Sequence, residues 1–512
     1  MTANRGKTVL VAINAKYIHT CFGVRYLKAN LQEFEPDSVI QEFTIQERAT
    51  DIAEKILASQ PGCVVFSCYI WNITLVDEVV RIIRSVRPRM VIVLGGPEVS
   101  YPDDLPPVAT IANHIICGEG EVALVDLLNS LQKHHPMPRI ICAAPVDLAA
   151  ISLPYHLYSD EDIRHRVVYV ESSRGCAFGC EFCLSSMDKQ VRQFEPKRII
   201  DALENLWQRG VRHFKFIDRT IHYSKAAPIL EFFMQRICPE LFLHFEIVPD
   251  RISDALIDTL RRFPNGAVQL EAGVQTFNPE VSARIGRKQN MEKTEANIRR
   301  IVNETGVHIH SDLVIGLPGE SIESLAAGFD RLLQTGVHEI QVGILKRLRG
   351  APIARHTDSF QMVYRHEPPY DILQNNLIPF EQMQRLKRFS RYFDLVVNNG
   401  NFKETAPLLW HNTSPFASFL AFSDWLFLRS KRTAGIALDQ LAEYIFNYLV
   451  SEKHLPAVTC ADTIQRDFQK RGRRRLPKCV REFASSPQKA YSGAQTGSPI
   501  SAIPERQRRH NQ

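Results

Sequence analysis

A chain of 512 residues is too long for one ordinary domain, and 45% hydrophobic with 23% charged residues is the make-up of a globular protein with real cores. The formal charge of +6 is unevenly spread: from Arg466 to the end stand 12 Lys and Arg against 3 Asp and Glu, a net of +9, so the body before it carries about −3. Eleven cysteines, odd in number and unevenly placed, exclude a disulfide framework. The start, MTANRGKTVLVAINAKYIH, lacks the long apolar run and small-residue cleavage site of a signal peptide. The most apolar late stretch, residues 416–428, is too short to span a bilayer and contains Asp424. A cytoplasmic protein with no membrane partner is the expectation.

Residues 1–145 alternate short apolar strands (TVLVAIN, GCVVFSCYIW, MVIVLGG, ANHIICGEGE) with amphipathic helices (GVRYLKANLQEF, TLVDEVVRIIRSVRP, VALVDLLNSLQK). That alternation predicts a doubly wound parallel α/β sheet of the Rossmann or flavodoxin kind. Ligands of such sheets sit at the carboxyl ends of the strands. Those ends carry Ser67 and Tyr69, then Gly95-Gly96-Pro97-Glu98, then Gly118-Glu119-Gly120. The glycines suggest that something large and flat comes close to the backbone. Cys63, Cys68 and Cys117 lie in or beside these strands and read as core filling.

Residues 146–165 read as a surface linker. From 166 to 350 a second series follows, with strands HRVVYVE, VRHFKFID, FLHFEIV, AVQLEAGVQ, VHIHSDLVIGLPG and VHEIQVGIL separated by helices. Six β/α units with polar residues at the strand ends predict a complete or partial TIM-type barrel. Residues 351–465 are mostly helical. Their aromatic residues Trp410, Phe416, Phe419, Phe422, Trp425 and Phe427 read as core, with a lid over the barrel as the alternative. Residues 466–512 form a basic tail whose Ser, Pro, Gly and Gln content predicts disorder; nucleic acid is not indicated beyond that tail.

The stretch SSRGCAFGCEFCLSS, just after the first strand of the second series, holds Cys176, Cys180 and Cys183 between glycines. Thiolates ligate iron–sulfur clusters and zinc. A closed site wants four ligands, and three leave one metal position open, as a catalytic metal requires. A zinc site completed by the distant Cys238 or His222 is the alternative.

C-x3-C-x2-C at the end of the first strand of a β/α barrel, with Phe182 before the last cysteine, resembles the radical SAM enzymes. The resemblance implies that Cys176, Cys180 and Cys183 hold a [4Fe–4S] cluster whose fourth iron binds S-adenosylmethionine (SAM), which is cleaved to a 5′-deoxyadenosyl radical. It also implies an electron donor such as flavodoxin or ferredoxin. Phe182 is placed with the SAM site, and IDRT, with Asp218 and Arg219, takes the place of the segment that holds the methionyl amino group. Glu246 in HFEIVPD matches the glutamate of the third strand. GVQTFNPEVSARIGRKQ resembles coproporphyrinogen-oxidase-like and methylthiotransferase-like members, which gives Gln275 and Arg287 to SAM, the arginine to its carboxylate, with Glu271 a common variant beside them. DLVIGLPGE resembles the fifth-strand motif, with Asp312 toward the ribose hydroxyls and Gly316-Leu317-Pro318-Gly319 shaping the adenine side.

A doubly wound domain ahead of such a barrel resembles the cobalamin-binding class, and the whole most resembles an uncharacterised subgroup of B12-binding-domain radical SAM proteins. The corrin is then expected across Ser67, Gly95, Gly96, Pro97, Glu98, Gly118, Glu119 and Gly120, with Tyr17, His19 and Tyr69 toward the lower face of cobalt. The D-x-H-x-x-G motif that supplies a histidine to cobalt is absent, so cobalamin is expected without that ligand. The implied activity is methyl transfer to an unactivated carbon. Rearrangement or cyclisation without methyl transfer is one alternative. Another is a methylthiotransferase-like modifier with a second cluster on Cys21, Cys63 or Cys68, and Cys117. A protein that senses SAM or cobalamin is the non-enzymatic alternative.

Overall fold

The computed structural model describes residues 7–220, 223–411, 413–470, 476–486 and Arg506. By its internal contacts the chain divides into two compact units. The first comprises Met1–Asp218 with Lys346–Ala354 and Tyr364–Asp371; the second comprises Arg219–Leu345, Arg355–Val363 and Ile372–Gln512. The sequence places a boundary in the linker 146–165, whereas the compact division falls after Asp218. The cysteine loop and the first two strands of the second series therefore belong to the same unit as the N-terminal sheet.

In the first unit, six strands form one parallel sheet: β1 (Lys7–Asn14), β2 (Ser38–Thr44), β3 (Pro61–Ser67), β4 (Val91–Gly95), β5 (His114–Cys117) and β6 (Ile140–Cys142), in the order β2-β1-β3-β4-β5-β6. The central strands are continuous apolar runs because both faces are covered. On one face Val64, Phe66 and Ile92 pack with Ile56 of α2 (Ala49–Ala58) and Val76, Val80 and Ile83 of α3 (Ile73–Val86). On the other, Leu10, Val65 and Val93 pack with Val24 of α1 (Phe22–Ala29) and Leu124 and Leu128 of α4 (Gly120–Gln132). The chain reverses its direction across the sheet between β1 and β3, the topological position at which such sheets take ligands. Cys63, Cys68 and Cys117 are buried core residues, as read.

The linker is docked rather than loose. Asp162, in helix α5 (Asp160–His165), receives Arg25 at 2.9 Å and Arg166 at 2.9 Å, and both arginines also reach Glu42 of β2. Strands β7 (Val168–Val170) and β10 (His213–Phe216) then pair in parallel. Between them lie the short antiparallel pair β8 (Ser173–Arg174) and β9 (Arg192–Gln193) and helix α6 (Pro196–Gln208).

The second unit continues the β/α series, with helix α7 (Tyr223–Met234) and then β11 (Phe242–Ile247), β12 (Val268–Gln275), β13 (His308–Ile315) and β14 (Glu339–Ile344), consecutive strands paired in parallel. All six strands read from the sequence are present. Helices α8 (Asp254–Leu260), α9 (Pro279–Arg284), α10 (Met291–Glu304) and α11 (Ile322–Leu333) connect them. Ser253, Asn278, Asn290 and Ser321 cap the four N-termini with side-chain oxygens.

The C-terminal helices α12 (Phe380–Phe393), α13 (Pro415–Ser430), α14 (Leu438–Ser451) and α15 (Ala457–Gln469) bury the aromatic residues. Phe416, Phe419 and Phe422 are inaccessible or nearly so and meet Phe389, Phe393 and Tyr448 mostly edge to face. This is the core reading of that stripe. Of the tail read as disordered, residues 466–470 and 476–486 are described and include helical segments. Helix α15 runs to Gln469, helix α16 (Lys478–Phe483) follows, and Cys479 and Val480 are buried because the basic composition is interrupted by an apolar turn. Arg506 pairs with the buried Glu339 at 2.6 Å and with Asp394 at 2.8 Å. The rest of 487–512 lies outside the described residues. Among the described residues no helix is long and apolar enough to cross a membrane.

Candidate active site

The cysteine loop is closed at its base by β8 and β9, with Ser173 opposite Gln193 and Arg174 opposite Arg192. Gly175 begins it at φ +86°, and a Cβ there would lie 2.3 Å from the carbonyl oxygen of Gln190. Only glycine permits this closure. The Cys176 amide donates to Asp188 O at 2.8 Å, the Cys183 amide to Cys180 O at 3.1 Å, and Ser186 Oγ to Cys183 O at 2.7 Å. Cys176 and Cys180 are buried, while Cys183 and Phe182 are half-buried. Among the described residues no three His, Cys, Asp or Glu side chains converge on a point that one metal ion would fill. Of the proposed zinc completions, Cys238 belongs to the second unit and His222 lies outside the described residues.

The residues ahead of the first cysteine are fully engaged in holding the loop. Asp218, read from the sequence as a SAM contact, is 7% exposed. Its carboxylate accepts from the Ser172 amide at 3.0 Å, from Ser172 Oγ at 2.6 Å and from Ser173 Oγ. Its side chain therefore anchors the strand that enters the loop. Arg174 donates to Glu121 at 2.7 Å and to Glu171 at 3.1 Å and lies 3.5 Å from Glu119. Arg192 pairs with Glu119 at 2.5 Å and with Asp188 at 3.0 Å. Burial drives the Glu171 carboxyl up to about 7, with Asp218 adding to the rise and Arg174 opposing it.

The other sequence-predicted SAM residues lie in the second unit. Register places Glu246 of β11 beside Glu271 of β12, and Gly273 beside Asp312 of β13. Arg219 Nη1 stands 3.9 Å from Glu246, and His244 Nε2 stands 3.2 Å from Glu271. Burial, then Glu271 and Glu246, hold the Asp312 carboxyl well above its usual range. Its Oδ1 is buried with no hydrogen-bond partner among the described residues. Strand β12 ends in an irregular register between Gly273 and Gln275, where Gln275 sits at φ +73°, a strained conformation for this residue. A Cβ on Gly273 would lie 2.7 Å from Gln275 Nε2 and 3.4 Å from an Arg287 nitrogen. Arg287 is 9% exposed and donates to Gly273 O and, at 2.6 Å, to Gln289. The ends of β11, β12 and β13 thus bring together a strained glutamine, a guanidinium and three mutually repelling carboxyls. Such a donor set suits a zwitterionic ligand bearing hydroxyls.

At the carboxyl ends of the first sheet the residues divide. Gly95 is open: the nearest atom to an added Cβ is Ile116 O at 3.9 Å. Gly96, at φ +104°, is required by the neighbouring strand end, since its Cβ would lie 2.6 Å from Cys68 O. Pro97 starts a short 3-10 turn, and Glu98 within it is 2% exposed. The Glu98 carboxylate accepts from Tyr370 Oη at 2.9 Å and lies 3.4 Å from Arg349. A Cβ added at Gly118, which has φ +90°, would lie 3.1 Å from Ala143 O and one at Gly120 3.0 Å from Leu27, and Glu119 holds Arg192 and the Val146 amide. The side chains of Glu98 and Glu119, predicted at a corrin, are thus consumed by the fold. Tyr17 Oη donates to Glu161 at 2.7 Å. His19 Nδ1 is 2.7 Å from Tyr169 Oη, with its basicity lowered by burial and by Lys215, Lys16 and Arg166. Tyr69 stacks on Trp71 at 4.4 Å, and Ser67 Oγ is 3.5 Å from Cys21 Sγ.

Residues 170–332 match the model of the radical SAM superfamily, and residues 8–128 match that of the B12 binding domain. The chain is a radical SAM protein with a B12-binding domain. Its residues 358–500 match a family described as a protein of unknown function, DUF4080. The cobalamin-dependent radical SAM methyltransferase TokK of Streptomyces tokunonensis is 23% identical over 347 residues, 60% of this chain and 49% of that one. This chain therefore spans about half of TokK's length. The cobalamin-dependent S-adenosylmethionine radical enzyme OxsB, solved with aqua-cobalamin bound, superposes with a TM-score of 0.63 at 13% identity, covering 94% of this chain and 83% of that one. The radical S-adenosylmethionine methyltransferase TsrM from Kitasatospora setae, solved with cobalamin and a [4Fe–4S] cluster, gives 0.56 at 17% identity, covering 71% of this chain and 82% of that one. At these identities the two structures establish the fold.

Within this radical SAM protein, sequence reasoning missed Arg174, Arg192, Glu121 and Glu171. The signal was present: an arginine two residues ahead of the first cysteine, in a turn too tight to leave its charge unpaired. The second-cluster alternative loses its geometry. Cys21 and Cys63 belong to one face of the first sheet and Cys68 and Cys117 to the other, and burial pushes all four thiols up.

Proposed function

We propose that this radical SAM protein is an enzyme that cleaves SAM and, with cobalamin, transfers a methyl group to an unactivated carbon. The reading is supported by a loop that carries Cys176, Cys180 and Cys183 within eight residues, closed by Gly175 and anchored by Asp218 and Arg174. When bound, a [4Fe–4S] cluster would supply the electron for cleavage of SAM, drawn from a donor such as flavodoxin or ferredoxin, and cobalamin would supply the methyl group. Cys176, Cys180 and Cys183 are assigned to the cluster. Arg287 is assigned to the SAM carboxylate, Gln275 and Glu246 to its polar atoms, and Asp312 to the ribose hydroxyls. Gly95, the open glycine of the first sheet, is assigned to the corrin face, with Ser67 and Tyr69 beside it.

The test uses full-length protein prepared anaerobically with iron, sulfide and cobalamin, reduced by dithionite, and given SAM with a labelled methyl group. Formation of 5′-deoxyadenosine together with label on cobalt is the expected result. 5′-Deoxyadenosine without label on cobalt would reassign the chain to rearrangement or cyclisation. No 5′-deoxyadenosine above the level given by Cys176→Ala would overturn the reading.

A further inference from the structure

The Gly118–Glu121 turn and the cysteine loop are joined by a buried charge cluster that neither predicted cofactor role requires. Arg174 stands two residues ahead of Cys176 with its side chain 11% exposed, and it spans three carboxylates from two segments. Glu119 and Glu121 come from the turn that opens α4, and Glu171 follows β7. The guanidinium also lies 4.7 Å over the ring of Tyr26 in α1. Across the β8–β9 pair, Arg192 grips the same Glu119. A planar guanidinium donates in several directions at once, whereas an ammonium is a single point charge. The cluster is therefore a rigid link between the turn at the end of β5 and the base of the cysteine loop.

We propose that Arg174 is a positioning residue that couples cluster assembly to cobalamin binding. Occupying the three cysteines restrains the loop further and, two residues away, Arg174. An ordered Arg174 holds Glu119 and Glu121 and so fixes the turn at the edge of the corrin site. A corrin arriving at a turn already fixed loses less ordering entropy, and the linkage is reciprocal. This inference rests on the proposed cofactor pair.

The test titrates full-length protein with hydroxocobalamin, followed by absorbance, once with the cluster reconstituted and once without iron. Wild type, Arg174→Lys, Arg174→Gln and Glu121→Gln are compared, with iron content and the electron paramagnetic resonance spectrum of the reduced cluster recorded for each. Wild type is expected to bind cobalamin about fivefold more tightly with the cluster present, at the low end of ordinary coupling. Glu121→Gln is expected to keep four irons per chain and lose that ratio, Arg174→Gln to lose it at matched iron content, and Arg174→Lys to keep part of it. A wild-type ratio of one, or an unchanged ratio in both uncharged variants, would overturn the coupling while leaving the cofactor assignment standing. Absence of cobalamin binding in wild type under both conditions would instead remove the cofactor assignment itself, and the coupling with it.

Discussion

The cysteine loop and the carboxyl ends of the first sheet carry equally suggestive residues, and the fold uses them in opposite ways. In the loop the structural work is done by the residues around the motif: Gly175 makes the closure, and Asp218 and Arg174 hold the base. At the sheet ends the motif residues themselves do the structural work. Gly96 makes room for Cys68, Glu98 is taken by Tyr370 and Arg349, and Glu119 is taken by Arg192. A glycine or a carboxylate at a strand end is thus ambiguous between ligand and fold. Three thiols in eight residues are not, because a loop has no structural use for them in such number.

The largest effect that would break this comparison belongs to the loop. Cys176→Ala, Cys180→Ala or Cys183→Ala is expected to abolish cluster iron, read by metal analysis after anaerobic reconstitution, while the apo-protein's thermal midpoint changes little. A variant that retained full iron would make that cysteine a packing residue like those of the sheet.

Two adjacent glycines sharpen the other side. Gly96→Ala combines a backbone conformation that side chains rarely adopt with a contact of 2.6 Å to Cys68 O, and is expected to cost about 3 kcal/mol in chemical unfolding. Gly95→Ala meets nothing nearer than 3.9 Å and is expected to cost less than about 1 kcal/mol. It is expected to weaken cobalamin binding, and equal losses of stability in the two variants would erase the distinction drawn between them.

Much of this architecture was legible in the sequence because its signals are local. The six strands of the barrel series, four strands of the first sheet and the cysteine loop all show periodicity or spacing within a dozen residues. Strand β2 was missed because SVIQEFT lies at the sheet edge with mostly half-buried residues, and β6 because three residues are too few to show alternation. The partners of Glu98 and Glu119 were not legible, since Tyr370 lies 272 residues from Glu98 and Arg192 lies 73 from Glu119. The serine partners of Asp218 were not legible for the same reason: Ser172 and Ser173 are 46 and 45 residues away.

The smallest predicted effect lies in the link between the two regions. Glu171 is held to about 7 chiefly by burial, so the folded chain keeps this proton to higher pH than an unfolded carboxyl titrating at 4.5. Its contribution to stability is therefore greatest below about 4.5 and falls as pH rises through about 7, by at most about 1.4 kcal/mol for each step of one in pH. Thermal melts of wild type and Glu171→Gln between pH 5 and 8 are expected to show wild type losing ground to the variant as pH rises. A difference independent of pH would place the proton elsewhere.

The central claim is that the loop holds a cluster and the first sheet holds cobalamin. Iron, sulfide and cobalt counted per chain, in protein made and purified anaerobically with cobalamin supplied, test it most directly. About four irons, four sulfides and one cobalt are expected. Four irons without cobalt would contradict the assignment of the first sheet, and one zinc in place of iron would contradict that of the loop.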